Sequence, residues 1–375
     1  MYLKTLYDRL QRALTGRMSG SKWFCITIGI TFGIVGGAAL LVYVVDPYYR
    51  YREPFFYDTV YYKVYATAPH LLTHQDYDLL MIGTSMTRNF FIDEIDKTFG
   101  SRSIKLAASG GTIGDLRKFF DIASEARGKK LKQVVLSLDI YPLNKDYTHW
   151  QDFDFLYRKD HKEDYRYLFS KNTFSSIHYL IKRKTNPKRH RKHQADRNRM
   201  FATDYKGKPY GLVEVMKDAI HNERTHHGQT PYAPAVHEKN LYKVLLPLFA
   251  ARPDIRFTVY LPPYHIYTYC QSEQFKEADA LIKQRTMVML ELLKQPNVTL
   301  HDFQSDRKYV TCHDYFSDVQ HFSNTAAKEI LKDLKSGRRK ITTKEQVLAN
   351  EKELRALIAE KMPEYYAHLK QFKEK

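Results

Sequence analysis

A chain of 375 residues with 43% hydrophobic and 14% aromatic residues can bury a sizeable core, which excludes a disordered polymer and leads us to expect one large domain with appendages. Its 60 Lys and Arg against 42 Asp and Glu give a formal net charge of +18, so anionic partners are expected: nucleic acid, anionic lipid or an anionic cell-wall polymer. The three cysteines, Cys25, Cys270 and Cys312, exclude a disulfide-dense scaffold and allow at most one bridge beyond the first apolar segment, between Cys270 and Cys312.

Residues 1–16 set Leu3, Leu6, Tyr7, Leu10 and Leu14 at helical spacing among basic side chains, the pattern of a helix lying on a membrane face or of a frayed basic tail. From Trp23 to Val45 there is no charge, and that length crosses a hydrocarbon core of about 30 Å as a helix. Lys4, Arg9, Arg12, Arg17 and Lys22 precede it against a single acid, Asp8, so residues 1–22 are expected in the cytoplasm and the rest of the chain outside, which moves nucleic acid out of the front rank. A cleaved signal peptide would have a shorter apolar region and a small-x-small site, whereas Tyr43, Val44 and Val45 stand before Asp46 here. Gly29 and Gly33 have the spacing of a helix-packing face, although glycines in such spans often merely tolerate lipid. Residues 46–77, rich in Tyr and Pro, read as a connector with aromatic rings at the interface.

Beyond it the pattern alternates. Apolar runs at Leu79–Ile82, Ile104–Ala107, Val134–Ile140, Phe257–Leu261 and Val298–Leu300 are separated by helical patterns, notably Ile113–Arg127, Ser272–Leu293 and Asn324–Leu334. Strands alternating with helices predict βαβ units and a parallel sheet across residues 78–341. Residues 145–245 interrupt the rhythm and read as an inserted lid or recognition subdomain. Within them the basic run Lys182–Arg199 is either a solvated loop or a docking surface for phosphate-rich polymer or lipid, with Lys188, Arg189, Arg191 and Lys192 at its centre. Residues 342–375 form a charged helical pattern broken by Pro363.

Ser85 follows the first apolar run in Gly83-Thr84-Ser85, and open α/β sheets bind ligands beyond the carboxyl ends of their strands. Far downstream, Asp318 and His321 are three apart, so on one helical turn the carboxylate could fix the imidazole tautomer for a proton taken from Ser85. Separately, each pattern is also a common turn or helix cap. Asn89 and Asp139 lie near strand ends, as substrate-contacting groups or as a turn residue and a cap. Pro262-Pro263-Tyr264-His265 follows a strand, so Tyr264 and His265 either line the cleft or tip a rigid loop. His301-Asp302 and His313-Asp314 lack a third ligand at sensible spacing, and no metal is expected.

Ile82-Gly83-Thr84-Ser85-Met86-Thr87-Arg88-Asn89 resembles the nucleophile block of the SGNH (GDSL-like) hydrolase superfamily. Leu106-Ala107-Ala108-Ser109-Gly110-Gly111-Thr112 resembles its second block, and Phe316-Ser317-Asp318-Val319-Gln320-His321-Phe322 its final one. The resemblance covers about residues 46–336 and is strongest to the membrane-anchored envelope branch that includes the D-alanyl-lipoteichoic acid biosynthesis proteins. It implies an α/β fold with a three-layer, flavodoxin-like parallel sheet and helices on both faces, behind one N-terminal transmembrane helix. It also implies a Ser85, Asp318 and His321 triad, an oxyanion hole from the N–H groups of Ser85 and Gly110, and no cofactor. The partners it implies are a cell-envelope polymer and a membrane-bound O-acyltransferase. Where the family often has Gly-x-Asn-Asp, this chain has Ser137-Leu138-Asp139-Ile140-Tyr141, so the usual asparagine donor is missing. The expected function is an extracytoplasmic serine esterase or O-acyltransferase; a non-catalytic protein that binds an anionic polymer or an acyltransferase is the other reading.

Overall fold

The computed structural model describes residues 19–185, 196–203, 209–226 and 232–374. They belong to two compact units. One comprises residues 1–56 with 158–190, the other residues 57–157 with 191–375, so the insertion expected over about 145–245 is divided between them.

The first unit contains the helix Gly20–Val45, whose 26 residues span about 39 Å at 1.5 Å per residue, long and apolar enough to cross a membrane. Trp23, Phe24, Phe32 and Ile34 are exposed on it. The helix ends at Asp46, in the left-handed region with φ 46°. The Asp46 carboxylate satisfies the chain that turns away: one oxygen accepts the Arg50 N–H (2.8 Å) and the Tyr167 hydroxyl (2.7 Å), the other the N–H groups of Tyr51 (2.8 Å) and Arg52 (3.0 Å). Arg50 pairs with Asp164, and the Tyr48 hydroxyl bonds Ser176, which is how residues 158–190 are recruited to the unit.

The second unit is built on a six-stranded sheet in the order β2-β1-β3-β4-β5-β6, with β1 at Leu79–Thr84, β2 at Ser103–Ala108, β3 at Gln133–Ser137, β4 at Arg256–Leu261, β5 at Val298–Asp302 and β6 at Lys340–Ile341. The first five are parallel and β6 is antiparallel to β5. Every side chain of β1 and β2 is buried, the burial that continuous apolar runs such as Leu79-Leu80-Met81-Ile82 require. The helix Ile113–Arg127 starts where Thr112 and Asp115 close a reciprocal cap and stops at Gly128. Gly83 permits close approach at the sheet's centre: a Cβ there would lie 2.6 Å from the Ser137 Cβ and from the Thr87 methyl.

Two expectations are corrected. The helix expected over Ser272–Leu293 is two helices, Ile266–Gln274 and Ala278–Leu292, separated by Lys276 at φ 60°. The tail is not broken at Pro363: Lys344–Lys373 is one helix packed on those two through Val347, Leu354, Leu357, Ile358, Tyr365 and Leu369. Cys270 and Cys312 are both free, so the permitted bridge is not formed.

Candidate active site

The chain passes from β1 to β2 on one side and then to β3 on the other, so the sheet order reverses at β1, where crevices open beyond the carboxyl ends of strands. Register aligns those ends: Thr84 faces Ala108 on β2, and Gly83 faces Ser137 on β3. The residues that follow, Ser85, Ser109-Gly110 and Leu138-Asp139, therefore emerge together.

Ser85 opens a single 3-10 turn, Ser85–Thr87, so its backbone N–H has no acceptor inside the turn. Gly110 occupies a turn closed by the Gly111 N–H donating to Ala108 O (2.9 Å), at φ 66°, a conformation that glycine adopts without steric cost.

The third component is a loop rather than the helical turn expected for Asp318 and His321. Phe316 and Phe322 pair as an antiparallel bridge, Ser317 N–H donates to His321 O (3.0 Å), and both phenylalanines are buried anchors. Inside this hairpin one Asp318 oxygen accepts the N–H groups of Gln320 (2.8 Å) and His321 (2.6 Å), a side-chain capture that competes with helix formation. Val319 is held at both ends: its N–H donates to Asp218 (3.2 Å), and its carbonyl accepts from His265 N–H (3.0 Å) and the Thr268 hydroxyl (2.6 Å).

These supports bring three side chains into line. The other Asp318 oxygen lies 2.9 Å from His321 Nδ1, and His321 Nε2 lies 2.7 Å from Ser85 Oγ. Burial acts to raise the Asp318 carboxyl, but the hydrogen bond from His321, its charge and the two backbone donors outweigh it and hold the group below its usual range. An ionised Asp318 fixes the proton on Nδ1, leaving Nε2 to accept from Ser85.

Ser85 lines a cleft of ≈ 210 Å³ with Gly110, Asp139, Tyr141, Lys145, Tyr264 and Gln320 among its walls. Asp139 accepts from the Thr84 hydroxyl and from the Tyr264 hydroxyl (2.7 Å). Burial pushes its carboxyl up, while those two hydrogen bonds pull it down. Burial outweighs them, so the carboxyl is held above its usual range, with its two oxygens engaged by Thr84 and Tyr264. Lys145 Nζ donates to Gly110 O at 3.0 Å, and both residues line the cleft.

No family model matches the chain, and no curated protein matches it. A solved structure described as a platelet activating factor from Streptococcus pneumonia is similar at 11% identity, over 72% of this chain and 89% of that one, with a TM-score of 0.35.

The other expected residues divide. Asp139 and Tyr264 are at the cleft, Tyr264 presenting its hydroxyl to Asp139 rather than to open space. Asn89 is corrected to a buried tie: its amide donates to Phe322 O (2.7 Å) and its oxygen accepts from Thr203 N–H (3.2 Å). His265 is corrected too. Its ring is fully buried away from the cleft lining; Nδ1 accepts the Tyr267 N–H (3.1 Å), so Nε2 donates to His313 Nδ1 (2.8 Å), and burial holds it neutral. Lys188, Arg189, Arg191 and Lys192 lie outside the described residues. Sequence reasoning missed Lys145, Tyr141 and Asp218. For the first two a signal existed, since the chain beyond β3 must leave at the same sheet edge.

Proposed function

We propose that this protein is a membrane-anchored serine esterase or O-acyltransferase of the SGNH type, acting on acyl esters of a cell-envelope polymer with its second unit on the extracytoplasmic side. The observation that carries the chemistry is the unbroken sequence of contacts from Asp318 through His321 to Ser85 Oγ, at 2.9 and 2.7 Å, with Ser85 itself in the wall of a cleft. The sheet order 2-1-3-4-5 is that of flavodoxin-like three-layer folds and supports the SGNH assignment. In this mechanism His321 Nε2 takes the Ser85 proton as Oγ attacks the ester carbonyl, and the N–H groups of Ser85 and Gly110 receive the oxyanion. Collapse expels the alcohol, which takes the proton from His321, and leaves an acyl-serine. Water then gives an esterase, whereas a sugar or polyol hydroxyl gives a transferase. The apolar helix Gly20–Val45 supplies the anchor, and the basic flank before it supports a cytoplasmic N-terminus.

A second reading, a non-catalytic scaffold for an anionic polymer or a membrane acyltransferase, is favoured by Asp139, which stands where the family's asparagine donor is expected. A serine-directed fluorophosphonate decides between them. The full chain in detergent is expected to be labelled, and Ser85→Ala to lose all labelling while keeping its melting transition. A folded wild-type chain that takes no label and turns over no acyl ester would leave the scaffold reading standing.

A further inference from the structure

A fully buried lysine lies behind the nucleophile turn. Lys105 is in the middle of β2 with no exposed surface, and its ammonium donates to two backbone carbonyls, Arg88 O at 2.6 Å and Phe90 O at 2.5 Å. The carbonyl between them is also captured, since the Asn324 amide donates to Asn89 O (2.8 Å) and to Glu94 (2.9 Å). Three successive carbonyls are thus held by side chains from two other elements. This run begins where the Arg88 N–H closes the Ser85 turn onto Ser85 O (3.1 Å). From its centre the Asn89 amide reaches Phe322 O, next to His321 and 233 positions away in sequence, and the Phe90 and Phe322 rings meet edge to face at 5.8 Å.

A lysine is seldom fully buried, because its ammonium must give up water. An apolar side chain would fill the space without that cost but would remove the donor shared by the two carbonyls. The location of the charge gives it a purpose. It is not on the cleft wall and touches no reacting group, yet it fixes the strand of backbone that joins the Ser85 turn to the His321 loop.

We propose that Lys105 is a positioning residue for the Ser85–His321 pair, acting through the carbonyls of Arg88 and Phe90 so that Asn89 ties the nucleophile turn to Phe322 and sets the separation of Oγ from Nε2. Its catalytic meaning rests on the acyl-transfer reading; the tie itself does not. Hydrogen exchange by mass spectrometry on the full chain in detergent therefore runs beside kinetics on p-nitrophenyl acetate. In Lys105→Met, with a cooperative melt retained, exchange is expected to rise about tenfold or more in residues 317–322 as well as 85–90. Turnover is expected to fall about 100-fold at a KM within about twofold, the loss that a misplacement near 1 Å produces. Asn89→Ala, which keeps the Lys105 amine and its two carbonyl contacts but cuts the links to Phe322 and to Thr203, is expected to loosen 317–322 in the same way. Should Lys105→Met fail to fold, it decides the tie to Phe322 on which the proposal depends. Exchange in 317–322 unchanged in the folded variants overturns the proposal, as does a Lys105→Met enzyme with wild-type turnover. A wild-type chain without turnover would overturn the acyl-transfer reading alone, and the exchange data would still decide the tie.

Discussion

In the proposed mechanism, Asp318→Asn isolates the orienting carboxylate with little change in shape. The amide oxygen can keep the N–H groups of Gln320 and His321, now at 2.8 and 2.6 Å, but the group facing His321 Nδ1 becomes an NH2, which donates where the carboxylate accepted. The imidazole is driven to the other tautomer, with its proton on Nε2, and that proton points at Ser85 Oγ from 2.7 Å. The base is then occupied. Triads held in the wrong tautomer lose on the order of 10⁴ in kcat, about 5 kcal/mol of barrier. The stability cost is far smaller, about 1 kcal/mol, because a partly exposed charge-assisted bond is exchanged for neutral ones in a loop still anchored by Phe316 and Phe322. Fluorophosphonate labelling rates, taken beside a thermal melt, separate the two effects. The expected result is labelling slowed by three to four orders of magnitude with a melt within a few degrees of wild type, and little further loss when His321→Ala is added, since triad members act as a unit. A variant that labels within about tenfold of wild type, with its melt unchanged, would refute the orienting role.

The apolar strands were legible because parallel strands covered on both faces must be largely apolar, as Leu79–Ile82 and Phe257–Leu261 are. The helix Ile113–Arg127 was readable at both ends because Thr112, Asp115 and Gly128 carry the capping chemistry in sequence. What failed was whatever depended on partners far along the chain. The break at Lys276 has neither glycine nor proline to announce it, and the persistence of the last helix through Pro363 reflects its packing against Ile266–Gln274 and Ala278–Leu292. Asp318 and His321 lie 2.9 Å apart, but in a loop and not on the helical turn expected: a spacing of three brings two side chains together on a helix, and equally in a hairpin whose aspartate captures the next N–H groups. His265 shows the limit at a strand end. Its arrival at the carboxyl edge was readable, but which way a loop side chain turns was set by His313 and the Tyr267 N–H, and no periodicity encodes those.

The proposed topology predicts that protease added to intact spheroplasts will digest residues beyond Asp46 and spare a short N-terminal fragment; complete protection would exclude it. The final prediction concerns pH. Burial pulls the Lys105 ammonium from its ordinary 10.5 down to about 7, with Glu94, itself paired to Lys328, pulling it upward and Arg88 pushing it down. The unfolded chain therefore binds a proton that the folded chain does not between about pH 7 and 10.5, so this group contributes a rise in stability with increasing pH across that window and its full cost below it. That cost is bounded at about 5 kcal/mol, and the slope at about 1.4 kcal/mol per pH unit. Tyrosines and cysteines titrate in the same range, which is why the quantity to measure is the difference in unfolding free energy between wild type and Lys105→Met from pH 7 to 9, where the other groups cancel. The wild-type chain should gain on the variant by about 2 kcal/mol over those two units, whereas a difference independent of pH would mean that Lys105 keeps an ordinary affinity for its proton, its hydrogen bonds to the Arg88 and Phe90 carbonyls offsetting the burial.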